Sequence, residues 1–468
     1  MLRNSLLLMT DGYKLSHHRM YPPGMDSMYS YMEARAGATY PKTIFFGMRY
    51  IVEEYLTRPF GMKDLDDATE FSRQYFGRDD IIPYDGMKYI LEEHGGIFPI
   101  RIMAIPEGTM VERGNILCTV ESTDKRVPWV TNFVESVLLK VWYPSTVATL
   151  SWSIKQILAK YLMNTVGSLD GIEYMLHDFG YRGASSEESS ALAGAAHLLN
   201  FVGTDTIQGD LLLQQYYDSG SAIARSVPAA EHSTINAWGR DGETKAFKHI
   251  IDTFPDGIVA VVSDSYDIYN ACKNIWGVEL RDQVLARDGR LVIRPDSGSP
   301  VEAVVIRVLD ILRSKFGMEK NARGYLELPG SVRVLQGDGV NAASIERILF
   351  NMELQGYAAS NILFGMGGAL VQSVTRDTQD FSMKCSHITI NGEGRDVYKL
   401  PSGQISKASK SGRMKLIHDG GCFFTVPVND DRQDELLLLY QNGVLYNRDN
   451  YNEIKARCLA KLDTERIL

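Results

Sequence analysis

The chain has 468 residues, 44% of them hydrophobic and 23% charged, and carries a net charge of -9. That length supplies core for two or three domains, while the acidic balance excludes general binding to nucleic acid or to an anionic membrane, so a phosphate-bearing ligand has to be met by a local basic cluster. No run of about 18 apolar residues offers a membrane span, Leu6-Leu7-Leu8-Met9 is too short for a signal-peptide core, and Cys118, Cys272, Cys385, Cys422 and Cys458 stand singly, which argues against a disulfide framework or thiolate metal site and for a reducing cytoplasm.

The first 150 residues mix short strands and helices, with turns at Tyr21-Pro22-Pro23-Gly24 and Arg58-Pro59-Phe60-Gly61. Between residues 98 and 121, alternating apolar positions around Pro106-Glu107-Gly108 and Arg113-Gly114-Asn115 predict small antiparallel hairpins. A lipoyl or biotinyl carrier domain has the same texture but needs a lysine at the hairpin tip, and none stands there.

From about residue 174 the texture changes. Apolar runs at 174–176, 198–202, 223–227, 258–262, 291–293, 332–335 and 362–364 each end in a turn rich in Gly, Asp, Arg or His, and they recur every 25 to 40 residues or so. Helical periods lie between them. Over residues 299–316, Val301, Val304, Val305, Val308, Leu312 and Phe316 share a face, with Ser299 as cap, Pro300 at the first helical position and Glu302 completing a capping box. A second amphipathic helix is predicted over 343–352. Alternating strands and helices give a parallel sheet, and seven of them favour closure as an α/β barrel over an open sheet. The chemically capable residues all follow strand C-terminal ends, where barrels gather their active sites.

Beyond residue 381 antiparallel strands return, at 384–390, 397–400, 422–426 and 436–440. Residues 1–165 and 381–468 are therefore expected to form one composite α+β domain beside a barrel of residues 166–380. Between 395 and 415, Lys399, Lys407, Lys410, Arg413 and Lys415 stand amid Ser and Gly. Such a run is either a solvated hairpin or a phosphate-binding flap.

Several residue groups carry chemistry. Gly337-Asp338-Gly339 and Gly365-Met366-Gly367-Gly368 follow successive late strands; their glycines either let backbone N–H groups approach an anion or simply make tight turns. Asp264, Asp296 and Asp338 end three strands and can bind Mg²⁺ directly or through water, accept from sugar hydroxyls, or cap helices. Phe179 and Arg182 share one turn, which suits a flat heteroaromatic ring beside a phosphorylated sugar. Glu231-His232 follows the run at 223–227. His232 reads as a structural histidine, a general base or a phosphoryl-accepting nucleophile; no second His or Cys at ligand spacing supports zinc.

The strings Thr10-Asp11-Gly12-Tyr13-Lys14, Tyr21-Pro22-Pro23, residues 178–183, Gly203-Thr204-Asp205-Thr206, residues 227–238, 263–269, 293–298 and 336–340, and Thr375-Arg376-Asp377 together resemble the nicotinamide phosphoribosyltransferase family. The resemblance runs from about residue 6 to 415. It implies a type II phosphoribosyltransferase fold with an irregular α/β barrel and a composite α+β domain. It also implies transfer of phosphoribose from phosphoribosyl pyrophosphate to nicotinamide, giving nicotinamide mononucleotide and pyrophosphate in NAD salvage, by a homodimer with shared active sites. Mg²⁺ is the implied cofactor and ATP the coupled co-substrate.

By motif, Phe179 would stack on nicotinamide with Tyr13 of a second subunit opposite, and Asp205 would accept the carboxamide N–H and repel a carboxylate. Asp296, Gly337 and Asp338 would hold the ribose. Gly367 and Gly368, with Arg376, Ser382 and Lys384 of the second subunit, would take the 5′-phosphate, and Arg182 and Arg294, with Arg35, Lys399 and Lys407 of the second subunit, would surround the pyrophosphate. His232, Asp264, Asp296 and Glu231 form the implied catalytic group. His232 would accept phosphate from ATP, Glu231 and Asp264 would orient its ring, and Asp264 would lie near Mg²⁺, directly or through water.

The departures from the family pattern are a short segment at 37–43, Met366 and Ala369 flanking the glycine pair, and Ala260 in place of a polar residue. The competing readings are a nicotinate phosphoribosyltransferase, opposed by Asp205, and a catalytically silent nucleotide-binding regulator, opposed by the intact set His232, Asp264, Arg294 and Asp296.

Overall fold

A computed structural model describes residues 5–402 and 408–459. The chain divides into two compact units. One comprises the residues up to Thr149 with Gln215–Asp218 and Thr375–Cys458; the other comprises Leu150–Gln214 and Ser219–Val374. The first division falls inside the long helix Trp142–Thr165, a place that no change of sequence texture marks. Among the described residues no helix is long and apolar enough to cross a membrane.

The second unit is built on five parallel strands. Their order is Leu176–Asp178, Ile362–Met366, Val332–Gln336, Asp288–Arg294 and Asp256–Val262. Single parallel bridges carry the ring onward from Ala260 to Ala229, from Arg225 to Gly203 and from Thr204 back to Asp178. The sheet therefore closes as an irregular α/β barrel. Five of the seven predicted runs are strands, and two are not.

Leu198 ends the helix Glu187–Leu198, so the extended stretch begins only at about Val202. In the segment 225–229, Pro228 has no N–H to give; its carbonyl accepts from the Ala260 N–H, and Ala230 N–H donates back to Ala260. A proline in that place holds the segment to isolated bridges. Inside the ring, Ala260, Val292 and Leu335 form a buried apolar floor against which Phe179, Val227 and Leu363 pack.

The helices follow their apolar periods. Val301–Phe316 buries Val304, Val305, Val308, Leu309, Leu312 and Phe316, and ends at Gly317 with φ 77°. The expected capping box does not form, because Pro300 is extended and takes the cap position, leaving Ser299 outside; Glu302 faces Arg347 at 3.6 Å instead. Ala342–Leu354 has its own box. There Asn341 Oδ1 accepts from the Ser344 N–H, and Ser344 Oγ accepts from the Asn341 N–H.

The first unit carries a seven-stranded antiparallel sheet drawn from both ends of the chain, in the order Glu393–Asp396, Phe381–Ile390, Met25–Ala34, Ile116–Ser122, Ile100–Ala104, Leu437–Gln441 and Val444–Leu445. The strand expected at 397–400 lies earlier, at Glu393–Asp396, where Asn391 and Gly392 at positive φ make the reversing turn. Met414–Asp419 is a further strand, paired with Cys422–Pro427.

Candidate active site

Within the barrel the site residues gather at strand C-terminal ends. His232 is the first residue of the short helix His232–Asn236. Its Nε2 donates to Asp264 Oδ1 at 2.9 Å, with the histidine side chain 45% exposed and the aspartate side chain only 3%. Asp264 Oδ2 accepts from the Asp296 N–H at 3.2 Å. Asp296 Oδ1 in turn accepts from Arg294 at Nε (3.0 Å) and at a terminal nitrogen (2.8 Å). The Arg294 guanidinium lies 5.2 Å from the centre of the Phe179 ring. One chain of contacts thus links His232, Asp264, Asp296, Arg294 and Phe179.

Glu231 is not part of that chain. It occupies the cap of the His232 helix and accepts from Ser233 Oγ, so the expectation that it orients the histidine ring is replaced by Asp264 alone. Neighbours in sequence at a helix start point apart, whereas Asp264 arrives from the turn just after the strand Asp256–Val262.

Beside Phe179 stands a second group. Asp205 Oδ1 accepts from Ser226 Oγ at 2.6 Å and from His177 Nε2 at 3.0 Å. Burial pushes the Asp205 carboxyl up, but the donors His177 and Ser226 and the charge of Arg294 outweigh it and hold it below the ordinary carboxylate range. The buried Asp178 ties the two turns together: Oδ1 accepts from the Gly180 N–H, Oδ2 from Thr204 Oγ1, and its carbonyl from the Asp205 N–H.

Two glycines make room for these groups. A Cβ at Gly337 would lie 2.9 Å from both Arg294 Nε and Asp296 Oδ1, and one at Gly365 only 2.0 Å from Phe179 Cε2. Gly183 approaches Gly368 closely, a Cβ there falling 3.2 Å from the Gly368 Cα, so the turn bearing Arg182 lies against the glycine pair Gly367-Gly368. Arg182 and Asp338 are exposed. Gly365 and Asp178 stand in turns and strings that the sequence marked, but no individual role was assigned to them, nor to His177 or Ser226; a glycine at a strand end is the signal that pointed to Gly365.

Of the remaining candidates, Arg35, Arg376, Lys384 and Lys399 lie in the first unit and form a cluster of their own. Arg35 pairs with Asp380, Arg376 lies 3.6 Å from Asp377, and Lys384 sits on the strand beside them. Burial lowers the Lys384 ammonium, Glu135 opposes this, and the charges of Arg35, Arg376 and Lys399 add to the lowering. Ser382 is buried, and its hydroxyl has no hydrogen-bond partner among the described residues. Crowded cations beside an orphaned hydroxyl are what an anion site needs. Tyr13 is 61% exposed, with His17 edge-on at 4.8 Å.

Of the basic run, Lys410 pairs with Glu33, Arg413 with Glu121, and Lys415 donates to the carbonyls of Asp430 and Arg432. Among the described cations of that run, Lys399 is one whose charge reaches Lys384. Lys407 lies outside the described residues.

Residues 174–443 match the nicotinate phosphoribosyltransferase family and residues 5–102 the nicotinamide phosphoribosyltransferase N-terminal domain. A Xanthomonas campestris protein named nicotinamide phosphoribosyltransferase is 44% identical over 466 residues, covering 97% of this chain and 98% of that protein. One of the same name from Acinetobacter baylyi is 31% identical over 491 aligned positions, covering 97% of each. Among solved structures, nicotinate-nucleotide pyrophosphorylase from Pyrococcus furiosus shares the fold at a TM-score of 0.62 and 17% identity, covering 98% of both chains. Human nicotinic acid phosphoribosyltransferase does so at 0.55 and 17%, covering 98% of this chain and 95% of that one. With the barrel, the composite sheet and these matches along nearly its whole length, the chain belongs to the nicotinamide phosphoribosyltransferases of the nicotinate phosphoribosyltransferase family and is a pentosyl-transferring enzyme.

Proposed function

We propose that the protein transfers the 5-phosphoribosyl group of phosphoribosyl pyrophosphate to nicotinamide, yielding nicotinamide mononucleotide and pyrophosphate for NAD salvage. The observation that carries this reading is Asp205, a carboxylate held ionised beside the Phe179 ring. A carboxamide can donate to it; a nicotinate carboxylate meets like charge.

Displacement at the ribose C1 passes through a cationic, oxocarbenium-like state. The protein's work is then to hold the ring nitrogen in line and to neutralise the departing pyrophosphate. Asp296, Gly337 and Asp338 serve the ribose in this reading, Gly367 and Gly368 the 5′-phosphate, and Arg182 and Arg294 the pyrophosphate. Tyr13, Arg35, Arg376, Ser382, Lys384, Lys399 and Lys407 act from the second subunit of a homodimer. The clustering of Arg35, Arg376, Lys384 and Lys399 about an orphaned serine hydroxyl supports their assignment to phosphates.

Asp264 fits Mg²⁺ in a particular way. Among the described residues no group of three or more His, Cys, Asp or Glu side chains could hold a metal ion, and both Asp264 oxygens already accept hydrogen bonds. Mg²⁺ commonly takes one or two carboxylates, with water and substrate phosphates filling its shell, so Asp264 would hold it through water. The ion would supply charge neutralisation of the pyrophosphate.

His232 is the energy-coupling nucleophile. With its Nε2 proton engaged by Asp264, the Nδ1 lone pair is the one left to attack the γ-phosphorus of ATP; ADP departs, and water later breaks the N–P bond to release phosphate. The test is incubation with nicotinamide, phosphoribosyl pyrophosphate and Mg²⁺, with and without ATP. Nicotinamide mononucleotide is expected in both, and more with ATP. Absence of product in both, or equal or better use of nicotinic acid, overturns the proposal.

A further inference from the structure

A lone aspartate makes an unreliable reader of an amide. Its carboxylate can turn about χ2, and in a partly apolar site it can take up a proton and so accept the acid it is meant to reject. The surroundings of Asp205 oppose both failures. Two donors from different segments, Ser226 Oγ and His177 Nε2, converge on the same oxygen, Oδ1. No partner engages Oδ2 among the described residues.

The histidine donor is itself fixed. His177 sits on the strand Leu176–Asp178 with its ring 5.2 Å from that of Phe179, and Gly203 comes so close that a Cβ there would fall 2.7 Å from Nδ1. That wedge leaves Nε2 as the nitrogen facing Asp205. The backbone on either side is pinned too, since the Asp205 N–H donates to the Asp178 carbonyl and Asp178 N–H to the Gly203 carbonyl. Only the side chain of Asp205 retains freedom, and both donors act on it.

We propose that His177 and Ser226 are paired positioning residues that lock the Asp205 carboxylate through Oδ1 and present Oδ2 to the ligand, and so are determinants of amide-over-acid specificity. This rests on the proposed reading of Asp205 as the group that meets the nicotinamide carboxamide. The ligand class selected is a planar ring bearing a hydrogen-bond-donating amide, with ring carboxylates rejected. A converged pair also ties the selectivity to two residues that need not touch the substrate.

The experiment is steady-state kinetics with nicotinamide and nicotinate on the full-length enzyme and on Ser226→Ala, His177→Leu, His177→Gln, their double Ser226→Ala/His177→Leu, and Asp205→Asn. Ser226→Ala and His177→Leu are each expected to raise KM for nicotinamide, with kcat changed far less, and to lower the nicotinamide-to-nicotinate preference by about tenfold, the worth of a hydrogen bond to a charged group. His177→Gln carries an amide N–H close to the Nε2 position and restores the preference. A merely structural role would change stability without this split or this rescue. If Asp205→Asn relaxes selectivity while Ser226→Ala and His177→Leu leave KM and preference unchanged, the positioning role is overturned and the proposed function stands. If Asp205→Asn also leaves the preference unchanged, the reading of Asp205 itself falls. Should His177→Leu fail to fold, Ser226→Ala alone decides, since it removes one hydroxyl from an exposed residue.

Discussion

Gly365→Ala is the sharpest perturbation of the ring site, because it alters a residue with no functional group. In the parallel register Gly365 lies opposite His177, and a methyl placed on it would sit 2.0, 2.4 and 2.7 Å from three carbons of the Phe179 ring. Carbon–carbon contacts settle at roughly 3.5–4.0 Å, so the ring has to withdraw by about 1.5 Å, and a misplacement of even about 1 Å costs on the order of 100-fold. We expect kcat/KM for nicotinamide to fall by about that factor while KM for phosphoribosyl pyrophosphate changes little. The assay is initial-rate formation of nicotinamide mononucleotide at varied nicotinamide, with thermal melts as the control for folding. Phe179→Leu supplies the second arm. In that background the clash has lost its ring, so adding Gly365→Ala should cost little more. Equal losses in both backgrounds, or no loss in the first, would refute the reasoning.

Glu107 gives a prediction about pH. It is buried and accepts from the Arg49 N–H through Oε1, and burial raises its carboxyl to about 7 against the pull of Arg49 and Tyr217. An acid raised in the folded state contributes stability that is whole below about pH 4.5 and is lost as pH climbs through about 7, on the order of 3 kcal/mol across that window. Glu107→Gln should flatten the fall in melting temperature between pH 5 and 8; parallel curves for the two proteins would contradict it. His232→Ala should abolish ATP hydrolysis and leave a reduced transfer that ATP no longer raises, as measured by ADP and nicotinamide mononucleotide release. Lys399→Ala should raise KM for phosphoribosyl pyrophosphate several-fold at low salt and less at high salt, because an exposed cation acts through a screened field; an unchanged KM would return that lysine to a solvated hairpin.

Much of the barrel was legible because each parallel strand is an apolar run closed by a polar turn, and Asp264, Asp296 and Gly337 could be placed by that punctuation alone. The misplaced elements have local causes. Residues 198–202 are apolar enough for a strand, yet the first of them complete a helix that began at Glu187. Pro300 could not be told from a first helical residue, since both the cap and that position accept its φ. In the site, the sequence offered both the adjacent Glu231 and the distant Asp264 as partners of His232, and the one that reaches its ring is 32 positions away. His177 and Ser226 escaped notice because their role lies in meeting a third residue, a relation no single segment of sequence contains.

The seam of the barrel carries a consequence for motion. The strand Asp288–Arg294 is laddered on both sides, while the segment 225–229 is held by one bridge to Gly203 and one to Ala260. Thinly bonded segments open at low free energy. Ser226 and Val227 lie on that segment and His232 follows it within three residues, so amide exchange should release the seam well before the neighbouring strands. Ser226 lies within this thinly bonded part of the ring and His232 just past it, so in the proposed reading a phosphate added at His232 would be felt as a shift of the seam while the laddered strands stay closed.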